Sequence, residues 1–316
     1  MGRLYEKNRD LSRPVERIEM TVEPEEEGRF DQFLARRIKW RSRTGARKLI
    51  ESGQATIGGE QRKPSSRVRA GDTVEIRVER QDEGPEPEAP PIVVLAEDEH
   101  YLALDKASGT VVHPVGVHQR GTLLQELHRR YEGEGRTLPK LAHRLDQYTS
   151  GVLLVAKNDA VRTAFSDMLE QGRVTKVYEA LVLGSTEWEQ RDVHAAIAPV
   201  EDSRILMCVD DAQGKAAHSR FTVIERFAHA THVRVEIFTG RTHQIRVHAA
   251  HLGHPLLGDH LYGDGLPVGG YERFALHARR TRFPHPVGGE AIEIEAPLPA
   301  TFLEAIALLR SVGMRG

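Results

Sequence analysis

Three short segments of this 316-residue chain carry residues able to do chemistry. The first is His143-Arg144-Leu145-Asp146, followed by Gln147-Tyr148-Thr149-Ser150-Gly151. It sets an aspartate in a polar turn just ahead of an apolar run, VLLVAK. A carboxylate at the end of a buried strand is held rigidly and can act as nucleophile or base, and an arginine nearby keeps it ionised. An aspartate that merely caps local backbone amides would look the same. The second segment runs from Thr239 through Gly240-Arg241-Thr242-His243-Gln244-Ile245-Arg246-Val247 to His248. Thr242 is expected to cap a helix here, whose free amides favour an anion. Arg241 or Arg246 can pair with a carboxylate or phosphate, or form a structural ion pair. The third, Lys176-Val177-Tyr178-Glu179-Ala180-Leu181, places Lys176, Tyr178 and Ala180 on one strand face. Tyr178 offers a flat ring to a base and a hydroxyl for proton transfer, although a tyrosine at the edge of a core gives the same pattern.

Other chemistries fit less well. His243, His248, His251 and His254 fall within twelve residues. No H-E-x-x-H pattern accompanies them, and the nearest acid, Asp259, lies beyond the expected helix. Helix-terminal, packing or RNA-facing roles suit these histidines better than a metal. Ser150 lacks the G-x-S-x-G setting of a hydrolase nucleophile, and no glycine-rich phosphate loop occurs. The single cysteine, Cys208, excludes an internal disulfide and any site built from several thiolates.

The elements that must position these residues follow from periodicity. After residue 92 many short strands are expected: 92–95, 101–105, 109–112, 151–157, 178–183, 219–226, 232–239 and 292–295. Helices fit residues 159–171, 242–252 and 299–312. Earlier in the chain, Phe30, Phe33, Leu34, Ile38 and Trp40 partly keep helical spacing, and a second helix fits 43–52. Residues 55–57 and 60–62 are expected to form a hairpin around Gly58-Gly59, and 73–78 alternate as a half-buried strand.

Charge divides the chain more sharply than its overall net of −2 suggests. Residues 28–80 hold 14 basic and 6 acidic residues, whereas residues 81–98 hold 6 acidic and no basic ones. This predicts a polar extension over 1–27, a compact basic domain over 28–80, an acidic proline-rich linker over 81–91, and a near-neutral domain over 92–316. No stretch is long and apolar enough to span a membrane, and the first residues lack an apolar signal core, so a cytoplasmic protein with no membrane partner is expected.

Read together, the motifs are no longer generic. LDKASGTVVHP (104–114), HRLDQYTSGVLLVAKN (143–158), KVYEALVLG (176–184), GRTHQIRVHAAHLGHPLLGDHLYG (240–263) and LHARRTRFPHP (276–286) occur in this order. The stretch from about residue 92 to the C-terminus strongly resembles the pseudouridine synthases of the RluA type, in particular those that modify large-subunit ribosomal RNA. Residues 28–80 resemble the small RNA-binding αL domain named after a ribosomal small-subunit protein. The matching pieces are Gly28-Arg29-Phe30-Asp31, Lys48 to Gly53, Gly59, Lys63-Pro64 and Gly71-Asp72. Two departures occur: Ala107-Ser108 stands where the family usually has proline after its lysine, and Gly58-Gly59 replaces a common Asn-Gly turn.

The resemblance implies an α+β fold. It would comprise a catalytic domain with a mixed, largely antiparallel sheet and a small α+β N-terminal RNA-binding domain. It implies that Asp146 attacks or deprotonates the ribose side of a flipped-out uridine. Tyr178 would stack on the uracil and help remove the proton from carbon 5. Arg246, rather than Arg241, would pair with the aspartate. Arg144 would fill the gap left by the flipped base, Ile245 would line the uracil pocket, and His143 would border the substrate. Arg43, Arg47, Lys48, Arg62 and Lys63 are expected to meet phosphates. The isomerisation requires neither cofactor nor metal, and a monomer suffices. The expected partner is 23S ribosomal RNA. A transfer-RNA synthase, a non-catalytic ribosome assembly factor and a metal-dependent hydrolase built on the histidine cluster are the alternatives.

Overall fold

The computed structural model describes residues 17–38, 43–77, 88–114, 120–131, 138–201, 203, 205–265 and 273–313. The chain divides into two compact units, the first running to Glu88 and the second built from Ala89–Pro114 and Gly121 onward.

In the first unit, strands β1 (Arg17–Thr21), β3 (Ala55–Ile57) and β5 (Thr73–Arg77) form an antiparallel sheet in the order β1-β5-β3. Two short strands, β2 (Gly28–Arg29) and β4 (Arg67–Val68), pair separately. Helices α1 (Phe30–Arg37) and α2 (Arg43–Glu51) bury Phe30, Phe33, Leu34, Ala46, Leu49 and Ile50 against Val74 and Ile76 of β5. Residues ahead of the expected start at 28 also take part: β1 pairs with β5 along its whole length, and Met20, together with Val22 just beyond the strand, is buried in this core. Trp40 and residues 81–87 of the expected linker lie outside the described residues. The expected hairpin is corrected. Gly58 and Gly59, at φ +58° and +80°, make the turn, but only an isolated bridge joins Ile57 to Glu60. β3 takes β5 as its partner instead, which buries Ala55.

The second unit is built on a ten-stranded sheet. Its strands are β6 (Val94–Glu97), β7 (Tyr101–Lys106), β8 (Lys140–Leu141), β9 (Ser150–Ala156), β10 (Thr175–Leu183), β11 (Gln190–His194), β14 (His218–Arg226), β15 (Ala230–Ile237), β16 (Leu276–Pro284) and β17 (Ala291–Glu295). The main path runs β11-β14-β15-β10-β16-β9-β7-β6, with β17 on β16 and β8 on β9. Strands β12 (Ile197–Pro199) and β13 (Met207–Val209) pair apart from it. Every described ladder is antiparallel except β16 with β9. Strand β9 is buried throughout, which explains its unbroken apolar run. It packs Val152, Leu154 and Ala156 with Val161, Phe165 and Met168 of α4 (Asp159–Glu170). Helix α6 (Ala300–Gly313) closes a second cluster with Phe302, Ala305 and Ile306 on Leu181 and Ala230. Helices α3 (Leu123–Arg130) and α5 (Gln244–His251) complete the unit.

Two features of β9 position the turn that precedes it. At the parallel junction Gly151 has φ +102°, and a Cβ there would stand 2.3 Å from the carbonyl oxygen of Ala278. Only glycine permits this approach. Residues 109–112, expected as a strand, are instead loop. The loop is tied to the Asp146 turn because Gly109 N–H donates to the Gln147 carbonyl (3.0 Å), and Lys106 Nζ donates to the carbonyls of Ala107, Thr110 and Gln147.

Candidate active site

Asp146 sits in the turn between β8 and β9, where Thr149 N–H donates to its carbonyl at 3.1 Å. Its side chain is 27% exposed, so the carboxylate is open on one side. Arg246, from the first turn of α5, is buried and brings Nη1 to 3.7 Å from Asp146 Oδ2. Its other nitrogens are fully engaged elsewhere. Nε and Nη2 each donate to a carboxylate oxygen of Asp259 at 2.7 Å, and Asp259 is wholly buried. Asp259 also accepts from the backbone amide of Leu261 at 3.0 Å. The guanidinium lies near the rings of Phe274 (4.1 Å to the centroid) and Tyr262 (4.9 Å). Held by two charge-assisted bonds and two rings, Arg246 has one orientation, and that orientation presents a donor to Asp146.

His243 completes the rim. Nε2 stands 4.0 Å from Asp146 Oδ2. Nδ1 lies 2.8 Å from the Tyr262 hydroxyl, which itself accepts from Met207 N–H at 3.0 Å. In the tautomer whose Nδ1 accepts from that hydroxyl, the ring hydrogen sits on Nε2, toward Asp146. Burial pushes the His243 pKa down while the Asp146 charge opposes it, so the ring is neutral at pH 7. The residue holds φ +55°, the left-handed region that a side chain occupies at a cost. This corrects the expected cap. The helix begins at Gln244 and His243, not Thr242, is its N-cap residue, with no side-chain cap bond. Gln244 Oε1 instead accepts from Arg241 N–H (3.0 Å) and the Thr239 hydroxyl (2.8 Å).

Tyr178 is 6% exposed on β10. Burial, reinforced by the Asp146 charge, pushes its phenol well above the ordinary value, so it stays protonated. Ile245 is buried beside Arg246 on α5. His143 accepts from Leu154 N–H at 3.2 Å, which fixes the turn that carries Asp146 to β9. Burial and the charge of Lys176 push its pKa down to about 3. Arg144 is exposed next to Leu145, and Arg241 turns its Nε to the Ala216 carbonyl (3.0 Å) rather than to Asp146.

The clustered histidines disperse. His248 is buried, with Nδ1 at 3.0 Å from the Ser219 hydroxyl and Nε2 at 3.0 Å from the Ala195 carbonyl. His254 donates to the Leu183 carbonyl, and His251 is exposed. Among the described residues, the three candidate metal ligands that lie together are Asp192, His194 and His218. There Arg220 Nε already bonds both Asp192 oxygens.

Comparison with known proteins fits this geometry. Residues 100–251 match the family model described as RNA pseudouridylate synthase, and residues 28–74 match the S4 domain. Ribosomal large subunit pseudouridine synthase D of Pseudomonas aeruginosa is 37% identical over 297 residues, covering 89% of this chain and 92% of that protein. The chain belongs to the RluA family of RNA pseudouridine synthases. Ribosomal large subunit pseudouridine synthase C of Salmonella typhimurium is 36% identical, covering 90% of this chain and 93% of that one. An RNA pseudouridine synthase of Bacillus subtilis, YlyB, is 36% identical over 95% of this chain and its own full length. Among solved structures, human RNA pseudouridylate synthase domain containing 1 superposes with a TM-score of 0.53 at 29% identity, covering 69% of this chain and 90% of that one.

The S4 domain of this synthase presents a basic face. Helix α2 buries Ala46, Leu49 and Ile50 and leaves Arg43, Arg47 and Lys48 exposed. Arg62 and Lys63 are exposed beyond the Gly58-Gly59 turn. Arg47 pairs with Glu51 (2.9 Å) and Arg62 with Glu60 (2.5 Å), and Arg43 lies 3.5 Å from the buried Asp31. In the catalytic unit, the residues missed by sequence reasoning are Asp259, Tyr262, Phe274 and the rim role of His243. The GDHLYG segment carries the first two, but nothing in its spacing announces a partner for Arg246.

Proposed function

We propose that this synthase isomerises specific uridines of large-subunit (23S) ribosomal RNA, with Asp146 as the residue that acts on the ribose. One observation supports it above the others. A half-open carboxylate faces a buried arginine that a second, fully buried carboxylate holds in place. A pure RNA-binding protein has no use for such an arrangement.

In this reading the target nucleotide leaves its stack, at a cost of a few kcal/mol that binding offsets, and its base enters the cleft over Tyr178. Asp146 acts at the sugar, either on C1′ or on a neighbouring ribose proton, as the bond from C1′ to N1 breaks. Arg246 keeps the carboxylate charged and correctly turned. The freed uracil rotates and C5 joins C1′, as the Asp146–C1′ bond breaks or the ribose regains its proton from Asp146, which restores the carboxylate. The proton leaves C5 by way of the Tyr178 hydroxyl, N1 gains one, and no atom is lost. A phenol held protonated suits a relay, which passes on one proton as it takes another. Arg144 fills the vacated stack and Ile245 lines the uracil.

The ribosomal substrate is supported by the names of the Pseudomonas and Salmonella relatives and by the S4 domain, and the place of action would be the cytoplasm. Two measurements test the reading. Asp146→Asn should abolish single-turnover pseudouridine formation and leave RNA binding within a few-fold; an active mutant refutes the assignment. Pseudouridine mapping across stable RNAs, with and without the protein, should show loss at one or a few 23S positions. Loss confined to transfer RNA would keep the chemistry and move the partner.

A further inference from the structure

Lys176 lies on β10 two residues before Tyr178, on the same strand face, and its side chain is more than nine-tenths buried. Almost every other buried charge in the unit is accounted for: Lys106 by three carbonyls, Arg246 by Asp259. Lys176 has no hydrogen-bond or ion-pair partner among the described residues, yet its ammonium is not among the sealed, unsatisfied atoms. The stem is therefore buried while the nitrogen keeps a small opening to solvent.

Its neighbours locate that opening. A Cβ on Gly240 would stand 3.4 Å from Nζ, so the glycine keeps the approach clear. The Lys176 charge bears on His143, three residues before Asp146. The ammonium thus lies between the turn that carries Asp146 and the 239–243 loop that leads into Arg246. An ammonium held there with no counter-ion is costly; burial alone pushes it down to about 8. Proteins leave such a group uncompensated where an incoming anion completes it.

We propose that Lys176 binds a phosphodiester of the RNA strand that carries the target uridine, fixing the backbone beside the flipped nucleotide. This rests on the RNA-isomerase reading above and names a further substrate-binding residue for it. Uracil itself is neutral, so the ribose-phosphate backbone is the anion that enters with the substrate. Lys176 is then a binding residue and not a participant in bond breaking.

The test uses full-length protein in the catalytically silent Asp146→Asn background, with a 23S ribosomal RNA transcript as probe. Affinity is measured by filter binding across a KCl series. Lys176→Met should weaken binding by roughly ten-fold. It should also flatten the plot of log affinity against log salt by about 0.7, the loss of one single-strand phosphate contact. Lys176→Arg should keep both values near the parent. An unchanged slope and affinity overturns the proposal, as does weaker binding with the slope intact. Thermal melting guards against misfolding: removing an unpaired buried charge should leave Tm equal or higher, and a clear fall would mean the lysine has a structural partner instead. A lowered single-turnover rate for Lys176→Met in the Asp146 protein, with an unchanged half-saturating RNA concentration, would assign it to chemistry and also refute the proposal. The isomerase reading fails separately, through a wild-type protein that makes no pseudouridine on any RNA.

Discussion

Arg246 is bound to Asp259 by two hydrogen bonds of 2.7 Å and meets Asp146 with a third nitrogen at 3.7 Å. The arginine therefore belongs to a fixed buried pair and lends its remaining edge to the open carboxylate. The setting of Asp146 therefore depends on a residue thirteen positions further along the chain from Arg246.

Asp259→Asn should therefore act as a positioning mutation. It leaves a buried guanidinium with weaker partners, so unfolding should become easier by about 3 kcal/mol, the usual cost of breaking a buried pair. Arg246 should swing toward Asp146 or lose its single orientation. The single-turnover rate should fall by roughly ten- to a hundred-fold, while RNA affinity stays near wild type. Melting curves and rapid-quench pseudouridine assays read the two effects. A normal rate in a destabilised protein would show that Arg246 keeps its place without Asp259.

Tyr178 combines a ring and a hydroxyl, and two variants separate them. Tyr178→Phe keeps the stacking face, so RNA binding should persist while product formation drops by about two orders of magnitude, the usual worth of a positioned proton-transfer group. Tyr178→Ala should lose binding as well. Because burial and Asp146 hold the phenol protonated, no step in the wild-type pH–rate profile between pH 6 and 9 should vanish in Tyr178→Phe. The appearance of such a difference would mean the tyrosine ionises in the working range.

How far these features can be read from the sequence differs by kind. Strand β9 is plain because a central strand buried on both faces has no polar alternation to hide it. Strand β16 is hard to see: LHARRTRFP exposes or half-exposes Arg279, Arg280 and Arg282, and its parallel partner Ser150 is 127 positions away. Helix α3 carried a readable signal, the Thr122–Gln125 capping box ahead of a short helix that buries Leu123, Leu124 and Leu127. In the site, Asp146, Arg246 and Tyr178 are visible by residue type and position, an acid ahead of an apolar run, an arginine at a helix start and a tyrosine on a strand, while their roles follow only from the resemblance of the motifs that carry them. Asp259 is not visible in this way, since a two-carboxylate arrangement around one arginine is a fact of tertiary packing. His243 carries even less signal: its nearness to Asp146 depends on a left-handed backbone conformation that histidine rarely adopts.

Stability should depend on pH in two separate windows. Burial pushes Lys106 down to about 7, opposed by Asp146, and Lys176 down to about 8. The unfolded chain binds more protons at these lysines between those values and about pH 10, so stability rises with pH across that range. His143 is held at about 3, below its unfolded value near 6.5. Here the unfolded chain also binds the extra proton, so stability falls as pH drops from about 6.5 toward 3. Urea unfolding at a series of pH values checks both. Lys176→Met should flatten the alkaline rise and His143→Gln the acidic fall. If neither slope changes, these groups are not buried in their neutral forms.

The basic face of the S4 domain should grip RNA through charge alone, but not evenly. Arg47 and Arg62 stand beside Glu51 and Glu60, whose charge offsets their attraction for phosphate. Lys48 and Lys63 are exposed with no such partner among the described residues. The double variant Lys48→Gln with Lys63→Gln should flatten the salt dependence of RNA affinity by about 1.5, two lost phosphate contacts. Arg47→Gln with Arg62→Gln should change it by less. The single-turnover rate at saturating RNA should stay at the wild-type level in both, because Asp146 and its neighbours lie in the other unit. A loss of rate at saturation would mean that the S4 domain orients the target nucleotide as well as holding the RNA.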